Sequence, residues 1–397
     1  MIREEHIKTL QAVMDRKMAN LPQLIRPWTT EYTDEHNIPK NLVLTGLRGV
    51  GKSTFLLYHS KSIVKRILYF SADNPLVITE PLYSVAETAF MQGYDGVIID
   101  EIHMARNWSL HLKSLYDNFP DRIIWASDSS SIILRKGIAD LSRRYVFIHM
   151  PILSFREFLY LETEKKYPRC NPLNTGYKLP LKPSSNVLTY FEMYKMHGTR
   201  PFYQEGNYEE RSLAVLDKTI NSDVPFFVPQ ITDDNLRLMS AVVGTLAKSA
   251  VPRVHVRNLC ADWGISADKL YQLLEVMDEI GAVRIIRFEN DKKAKTAGAK
   301  LFFADPCLYA VLRGHTGTMR EAFAAALLAE AGYEVCAARD EREGDFVISR
   351  QYDIDQKIKI EVGGERKTAK LSDFVIRDNC DYPSDKVIPL WLLAMMW

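Results

Sequence analysis

Nine consecutive residues, Gly46, Leu47, Arg48, Gly49, Val50, Gly51, Lys52, Ser53 and Thr54, combine the side-chain types that phosphate chemistry needs. Glycines let a backbone turn tightly and aim its N–H groups at phosphate oxygens. A lysine directly after the last glycine reaches the β and γ phosphates of a nucleoside triphosphate, and the hydroxyl beside it can hold Mg²⁺. A second group lies about fifty residues on. The apolar run Val97-Ile98-Ile99 ends in adjacent carboxylates, Asp100 and Glu101. At the mouth of a parallel sheet the first suits the Mg²⁺ shell together with Ser53, and the second can orient or deprotonate an attacking water. A third run, Ile123-Ile124-Trp125-Ala126, ends in Ser127 and Asp128. Ser127 is the candidate γ-phosphate sensor and Asp128 the alternative, although both types also simply end strands in turns. Arg143 and Arg144 are candidates for stabilising transition-state charge in a neighbouring subunit, as arginine fingers do, or else are solvated surface arginines. His103 could approach the γ-phosphate, but packing is the commoner fate of a lone histidine.

These groups work only if strands and helices bring them to one edge. The runs at 42–45, 67–70, 97–99, 123–125 and 145–148 read as short buried strands, and helical patterns separate them. Such alternation predicts a parallel sheet sandwiched by helices, with the glycine-rich loop between the first strand and a helix over 53–65. The helix N-terminus there favours an anion. Ahead of the core, Ile7, Leu10, Met14, Met18 and Leu21 mark one face of a leading helix.

Beyond the core, the Lys-, Pro- and Asn-rich stretch between 160 and 185 supports neither periodicity and is expected to be a linker or exposed insertion. A winged-helix pattern follows. It comprises a short helix over 255–262, a turn at Gly264, a second helix carrying Leu270, Leu273, Leu274, Met277 and Ile280, and strands at 283–288 and 300–303. Lys292, Lys293, Lys295 and Lys300 would make its wing basic, whereas Glu275, Asp278 and Glu279 on the second helix oppose entry into a phosphate-lined groove. The expected divisions are therefore 1–40, leading helix and connector; 41–160, P-loop core; 161–233, linker and helical lid; 234–312, winged helix; and 313–397, a small α/β module.

The bulk composition narrows the partners. With 51 basic and 50 acidic residues and a formal charge of +1, nothing global favours nucleic acid or an acidic membrane. Cys170, Cys260, Cys307, Cys336 and Cys380 are odd in number and never spaced as Cys-x-x-Cys, which argues against a disulfide framework or a zinc site. The opening MIREEHIKTL lacks an apolar core, and the apolar end at 388–397 is too short to span a bilayer, so the cytoplasm is the expected compartment and no membrane partner is expected.

The segments LTGLRGVGKST, LYFSADNPL, IIDEIHMARNWSLHLKSLYDNFP and LSRRYVFIHMPILSFREFL, with GDFVI, IEVGGERKT and IPLWL near the end, resemble bacterial and archaeal AAA-type ATP-binding proteins that carry a C-terminal domain of unknown function. The resemblance implies ATP and Mg²⁺ as cofactors and hydrolysis with Glu101 as base. It also implies that Gly198-Thr199-Arg200-Pro201 is similar to a Gly-x-x-Pro turn whose proline, Pro201, contacts the nucleotide base from a helical lid. Where relatives carry Gly-Ser-Ser after the fourth strand, this chain has Ser127-Asp128-Ser129. Glu321, Asp345 and Glu361 follow an order similar to the restriction-endonuclease-like core, in which two carboxylates hold Mg²⁺ and a lysine two residues past the second activates water. Gly363 stands at that lysine's place, and Lys367 is the candidate replacement or else a surface residue. Three functions follow as expectations: an ATPase coupling hydrolysis to domain rearrangement on DNA, a nucleotide-dependent switch recruiting a protein partner or a second copy of the chain, and an ATP-regulated nuclease.

Overall fold

The computed structural model describes residues 3–63, 65–129, 141–174, 176–228, 231–250, 252, 256–289, 291, 300–340, 342–350, 353–369 and 371–397. They divide into two compact units, Met1–Pro151 and Ile152–Trp397.

In the first unit, α1 (Glu4–Ala19) buries Ile7, Leu10 and Met14 of the apolar face that its spacing marks, while Met18 is half-buried and Leu21 lies beyond its end. Glu4 and Glu5 in its first turn and Arg16 and Lys17 in its last complement the helix dipole. After α2 (Pro27–Glu35), β1 (Asn41–Thr45) leads through the glycine loop into α3 (Lys52–Ser62). Then come β2 (Ile67–Ser71), α4 (Leu82–Met91), β3 (Gly96–Asp100), α5 (Trp108–Asn118), β4 (Ile123–Asp128) and β5 (Val146–His149). The five strands pair in parallel in the order β2-β3-β4-β1-β5. Every run expected as a strand is one. Leu42, Val43, Leu44, Val97, Ile98, Ile99, Ile124 and Ala126 are wholly buried, as both faces of a helix-covered parallel sheet require. Because β1 lies between β4 and β5, chain direction diverges at its C-terminal end, the crevice where such sheets bind ligands.

The second unit carries β6 (Val283–Ile286) paired antiparallel with β7 (Lys300–Phe303). It also holds a mixed sheet in the order β12-β11-β10-β9-β8, built from β8 (Tyr333–Ala337), β9 (Phe346–Arg350), β10 (Asp353–Gly363), β11 (Phe374–Arg377) and β12 (Val387–Pro389). The pairs β8/β9 and β9/β10 are antiparallel, and β10/β11 and β11/β12 are parallel. Helix Thr316–Glu330 packs on this sheet with Ala322 through Leu328 buried.

Of the two alternatives for 160–185, a linker or an exposed insertion, the structure agrees with the second. Among its described residues the segment has no helix or strand after Thr163 until Ser185, yet it is not a loose linker. Cys170 and Leu173 are buried, the Cys170 N–H donates to Met395 O at 2.9 Å, and Asn171 Nδ2 donates to Tyr333 Oη at 2.8 Å. Isolated buried side chains and single backbone and side-chain bonds hold it where it has no periodicity to exploit. The apolar end is likewise core: the Trp397 indole donates to Ile152 O at 3.1 Å, and Arg156 Nε donates to Trp397 O at 3.0 Å. No helix among the described residues is long and apolar enough to cross a membrane.

Candidate functional site

The loop after β1 has the backbone its glycines permit. Gly46, Gly49 and Gly51 have φ of 147°, 85° and 103°. A Cβ on Gly46 would stand 2.4 Å from Met150 O, so no other residue fits there. Arg26 anchors the loop from below, its guanidinium donating to Val50 O and Pro151 O at 3.0 Å each. Within this cradle Lys52 is buried and its ammonium donates to Gly46 O at 2.8 Å and Leu47 O at 3.0 Å. Burial pulls its pKa down to about 8 against the opposing pull of Glu101, Asp100 and Asp128.

Asp100, at the end of β3, is the hub of the site. Its Oδ2 accepts from Ser53 Oγ at 2.6 Å and Tyr69 Oη at 2.7 Å, and its Oδ1 accepts from Ser127 Oγ at 2.5 Å. Burial alone would raise its pKa, but the three hydroxyls and Lys52 outweigh burial and hold the carboxyl below its usual range. The side chain is therefore an acceptor-rich anion beside the hydroxyl that the motif assigns to a cation. Tyr69 is a partner that sequence reasoning missed. In the β2/β3 register it lies opposite Ile98, two residues before the pairing of Ser71 with Asp100, a relation fixed only once the strands are aligned.

Glu101 leaves the strand at φ 50°, a left-handed conformation rare for a residue with a side chain. Arg48 holds its carboxylate with two bonds, NH1 to Oε1 at 2.8 Å and NH2 to Oε2 at 3.3 Å. Ser129 Oγ donates to Oε2 at 3.3 Å, and His103 Nδ1 stands 3.6 Å away. Burial raises the Glu101 pKa; Asp100 and Asp128 add to the rise, while Arg48 and His103 oppose it. A carboxylate drawn toward neutrality suits a group that must accept a proton. His103 is fixed on Asp128, whose Oδ2 accepts from its backbone N–H at 2.9 Å and lies 2.8 Å from its Nδ1.

The sheet thus brings Lys52, Ser53, Asp100, Glu101, Ser127 and Asp128 together. Of the two sensor candidates, Ser127 is bonded to Asp100 and Asp128 to His103. Arg144 is engaged within its own chain by Asp117, Nε to Oδ1 at 2.9 Å and NH2 to Oδ2 at 3.1 Å, while Arg143 is exposed. Pro201 belongs to the second unit and begins a short 3₁₀ helix, Pro201–Glu205. Its neighbours Thr199 and Arg200 are buried on Asp305, at 2.7 and 2.6 Å.

The second unit corrects one assignment outright. Lys300 is not a wing residue facing solvent: it is buried, with its ammonium 2.7 Å from Glu321 and 2.6 Å from Asp345. Lys367 is not a free surface lysine, for its ammonium lies 2.5 Å from Glu361. Asp278 does not simply project from its helix, since its Oδ1 accepts the Ile285 N–H at 3.0 Å. Lys292, Lys293 and Lys295, and most of the expected wing with them, lie outside the described residues, as does His255.

Residues 39–159 match the model of the AAA domain family. The uncharacterized protein MJ1637 of Methanocaldococcus jannaschii is 28% identical over 375 residues, covering 85% of this chain and 78% of that protein. Among solved structures, the Walker-type ATPase PABY2304 of Pyrococcus abyssi aligns with a TM-score of 0.42 at 14% identity, over 73% of this chain and 95% of its own. The RuvB Holliday junction branch migration motor of Thermotoga maritima aligns at 0.34 and 13%, over 77% and 95%. Superpositions this loose carry no argument. The family match, the strand order and the glycine loop do: residues 39–159 of this chain are an AAA-type P-loop ATP-binding domain.

Proposed function

We propose that this domain hydrolyses ATP with Mg²⁺ and that the chain couples the nucleotide cycle to rearrangement of its parts. The observation that carries the reading is the convergence on Asp100: a buried carboxylate 2.6 Å from the Ser53 hydroxyl, followed by Glu101 at the same sheet edge as Lys52. The donor set fits the nucleotide. Lys52 and the loop N–H groups of 46–54 would hold the phosphates, and Ser53 with Asp100 would hold Mg²⁺, which when bound neutralises charge on the β and γ oxygens. Glu101 takes the proton of a water as its oxygen attacks the γ-phosphorus, the bond to the β-phosphate oxygen breaks, and ADP and phosphate leave. Lys52 draws the developing charge, and Ser127 and Tyr69 keep Asp100 oriented.

A second reading, a slow switch that recruits a protein partner or a second copy, has a specific observation in its favour. The two-bond clasp of Arg48 on Glu101 occupies the base. A role on DNA is supported by helices Val256–Trp263 and Ala267–Glu279 followed by β6 and β7, the element order of a winged helix. The carboxylates that suggest a nuclease core, Glu321, Asp345 and Glu361, are paired with Lys300 and Lys367, which gives that reading no support. Phosphate release measured with and without DNA separates these readings. The DNA-linked ATPase requires turnover that DNA stimulates and that Glu101→Gln abolishes while ATP still binds. Copurified ADP with negligible turnover in either case would replace it with the switch.

A further inference from the structure

In the second unit, three carboxylates and two ammonium groups meet beneath the β6/β7 hairpin. Glu321 comes from helix Thr316–Glu330, Asp345 from the residue before β9, Glu361 from β10, Lys300 from the start of β7 and Lys367 from the loop after β10. Lys300 bridges two of the carboxylates at 2.7 and 2.6 Å, and its ammonium also stands 4.8 Å from the centre of the Phe346 ring. The other oxygen of Asp345 accepts the Val362 N–H at 2.9 Å, so both its oxygens are committed. Glu361 is buried, and Lys367 neutralises it at 2.5 Å.

The route of Lys367 accounts for the glycine. A Cβ on Gly363 would stand 2.6 and 2.7 Å from the Lys367 Cγ and Cβ, so the lysine stem crosses the space that any side chain at 363 would fill. Gly363 and Lys367 act as a pair: the missing side chain makes room for the ammonium that arrives four positions later.

We propose that the Lys300 ammonium is the resident cation of this cluster, standing where the carboxylates would otherwise demand a divalent ion, and that the cluster is a charge-balanced joint of the hairpin to the mixed sheet. The physical case is one of competition. Two partly buried carboxylates sharing a site need a cation or a proton, because like charges at such separation disfavour joint ionisation. A lysine on the same chain is present at high effective concentration and costs only side-chain order, whereas Mg²⁺ must shed tightly held water to gain the same oxygens. Among the described residues no three His, Cys, Asp or Glu side chains are arranged to hold a metal. Burial and the neighbouring Asp345 push the Glu321 carboxyl above its ordinary range, and Lys300 is the largest pull against them.

The test is Mn²⁺ binding to the full-length chain without nucleotide, followed by electron paramagnetic resonance. Wild type and Asp345→Asn should give the same Mn²⁺ titration. Lys300→Met, which keeps the stem and removes the charge, should gain a site at least tenfold tighter than anything in wild type, and Lys300→Met/Asp345→Asn should lose it. Lys300→Arg should behave as wild type. Two results would each overturn the proposal: Mn²⁺ binding in wild type that Asp345→Asn removes, and a Lys300→Met protein with native circular dichroism that gains no site. The first comparison involves no substitution of the lysine, so a Lys300→Met chain that failed to fold would still leave a decisive measurement.

Discussion

The buried lysine of the P-loop makes ATP affinity depend on pH in a window where ATP itself no longer titrates. Burial pulls the Lys52 pKa down to about 8, outweighing the nearby carboxylates. Phosphates placed around it favour the ammonium and return its pKa toward the ordinary 10.5 or above. Binding at alkaline pH must therefore take up a proton. Below pH 8 the amine already carries it and affinity is flat. Above pH 8 the fraction charged falls, so affinity should drop roughly tenfold between pH 7 and 9 and then by about a decade per pH unit. The gap from about 8 to 10.5 caps the loss at about 3 kcal/mol. Phosphate monoesters lose their last proton near pH 6, outside this window. Isothermal titration calorimetry at pH 7, 8 and 9 in two buffers of different ionisation enthalpy reads both the affinity and the proton uptake. Lys52→Met should bind weakly at every pH and show no slope. Flat wild-type affinity from pH 7.5 to 9.5 with no proton uptake would refute the reasoning.

Two further perturbations address the carboxylates. Tyr69→Phe removes one of three hydroxyls from Asp100 and should weaken Mg²⁺-dependent ATP binding by about 1 kcal/mol, roughly fivefold, with the fold intact; an unchanged Mg²⁺ titration would show that Tyr69 does not orient the carboxylate. Arg48→Met withdraws the main group holding the Glu101 pKa down, so the acid limb of the turnover profile should move to higher pH, because the base must be ionised to act; a limb that stays in place or moves lower would contradict the role given to Glu101.

The P-loop core was legible because its signals are local. The run at 42–45, the spacing of Gly46, Gly51, Lys52 and Ser53, and the carboxylates closing β3 each need only a few neighbouring residues to be read. What escaped depends on register and on distant packing. Tyr69 reaches Asp100 only through the β2/β3 alignment, and Arg48 meets Glu101 across 53 positions of chain. Lys300 looks like a wing lysine in the sequence because the stretch before it, 291–296, is rich in lysine. Only the packing of β7 on helix Thr316–Glu330 brings it to Glu321 and Asp345. The stretch between 160 and 185 was hidden for a related reason: isolated side chains such as Cys170 and Leu173 can be buried without any periodicity.

The central claim is that Lys52, in the loop between β1 and α3, holds the phosphates of ATP. Its most direct test is equilibrium binding of a fluorescent ATP analogue with Mg²⁺ to wild type and to Lys52→Ala at pH 7.5. The account predicts saturable binding to wild type and a loss of at least tenfold in Lys52→Ala, with an unchanged circular dichroism spectrum. Equal affinity in the two proteins would contradict it.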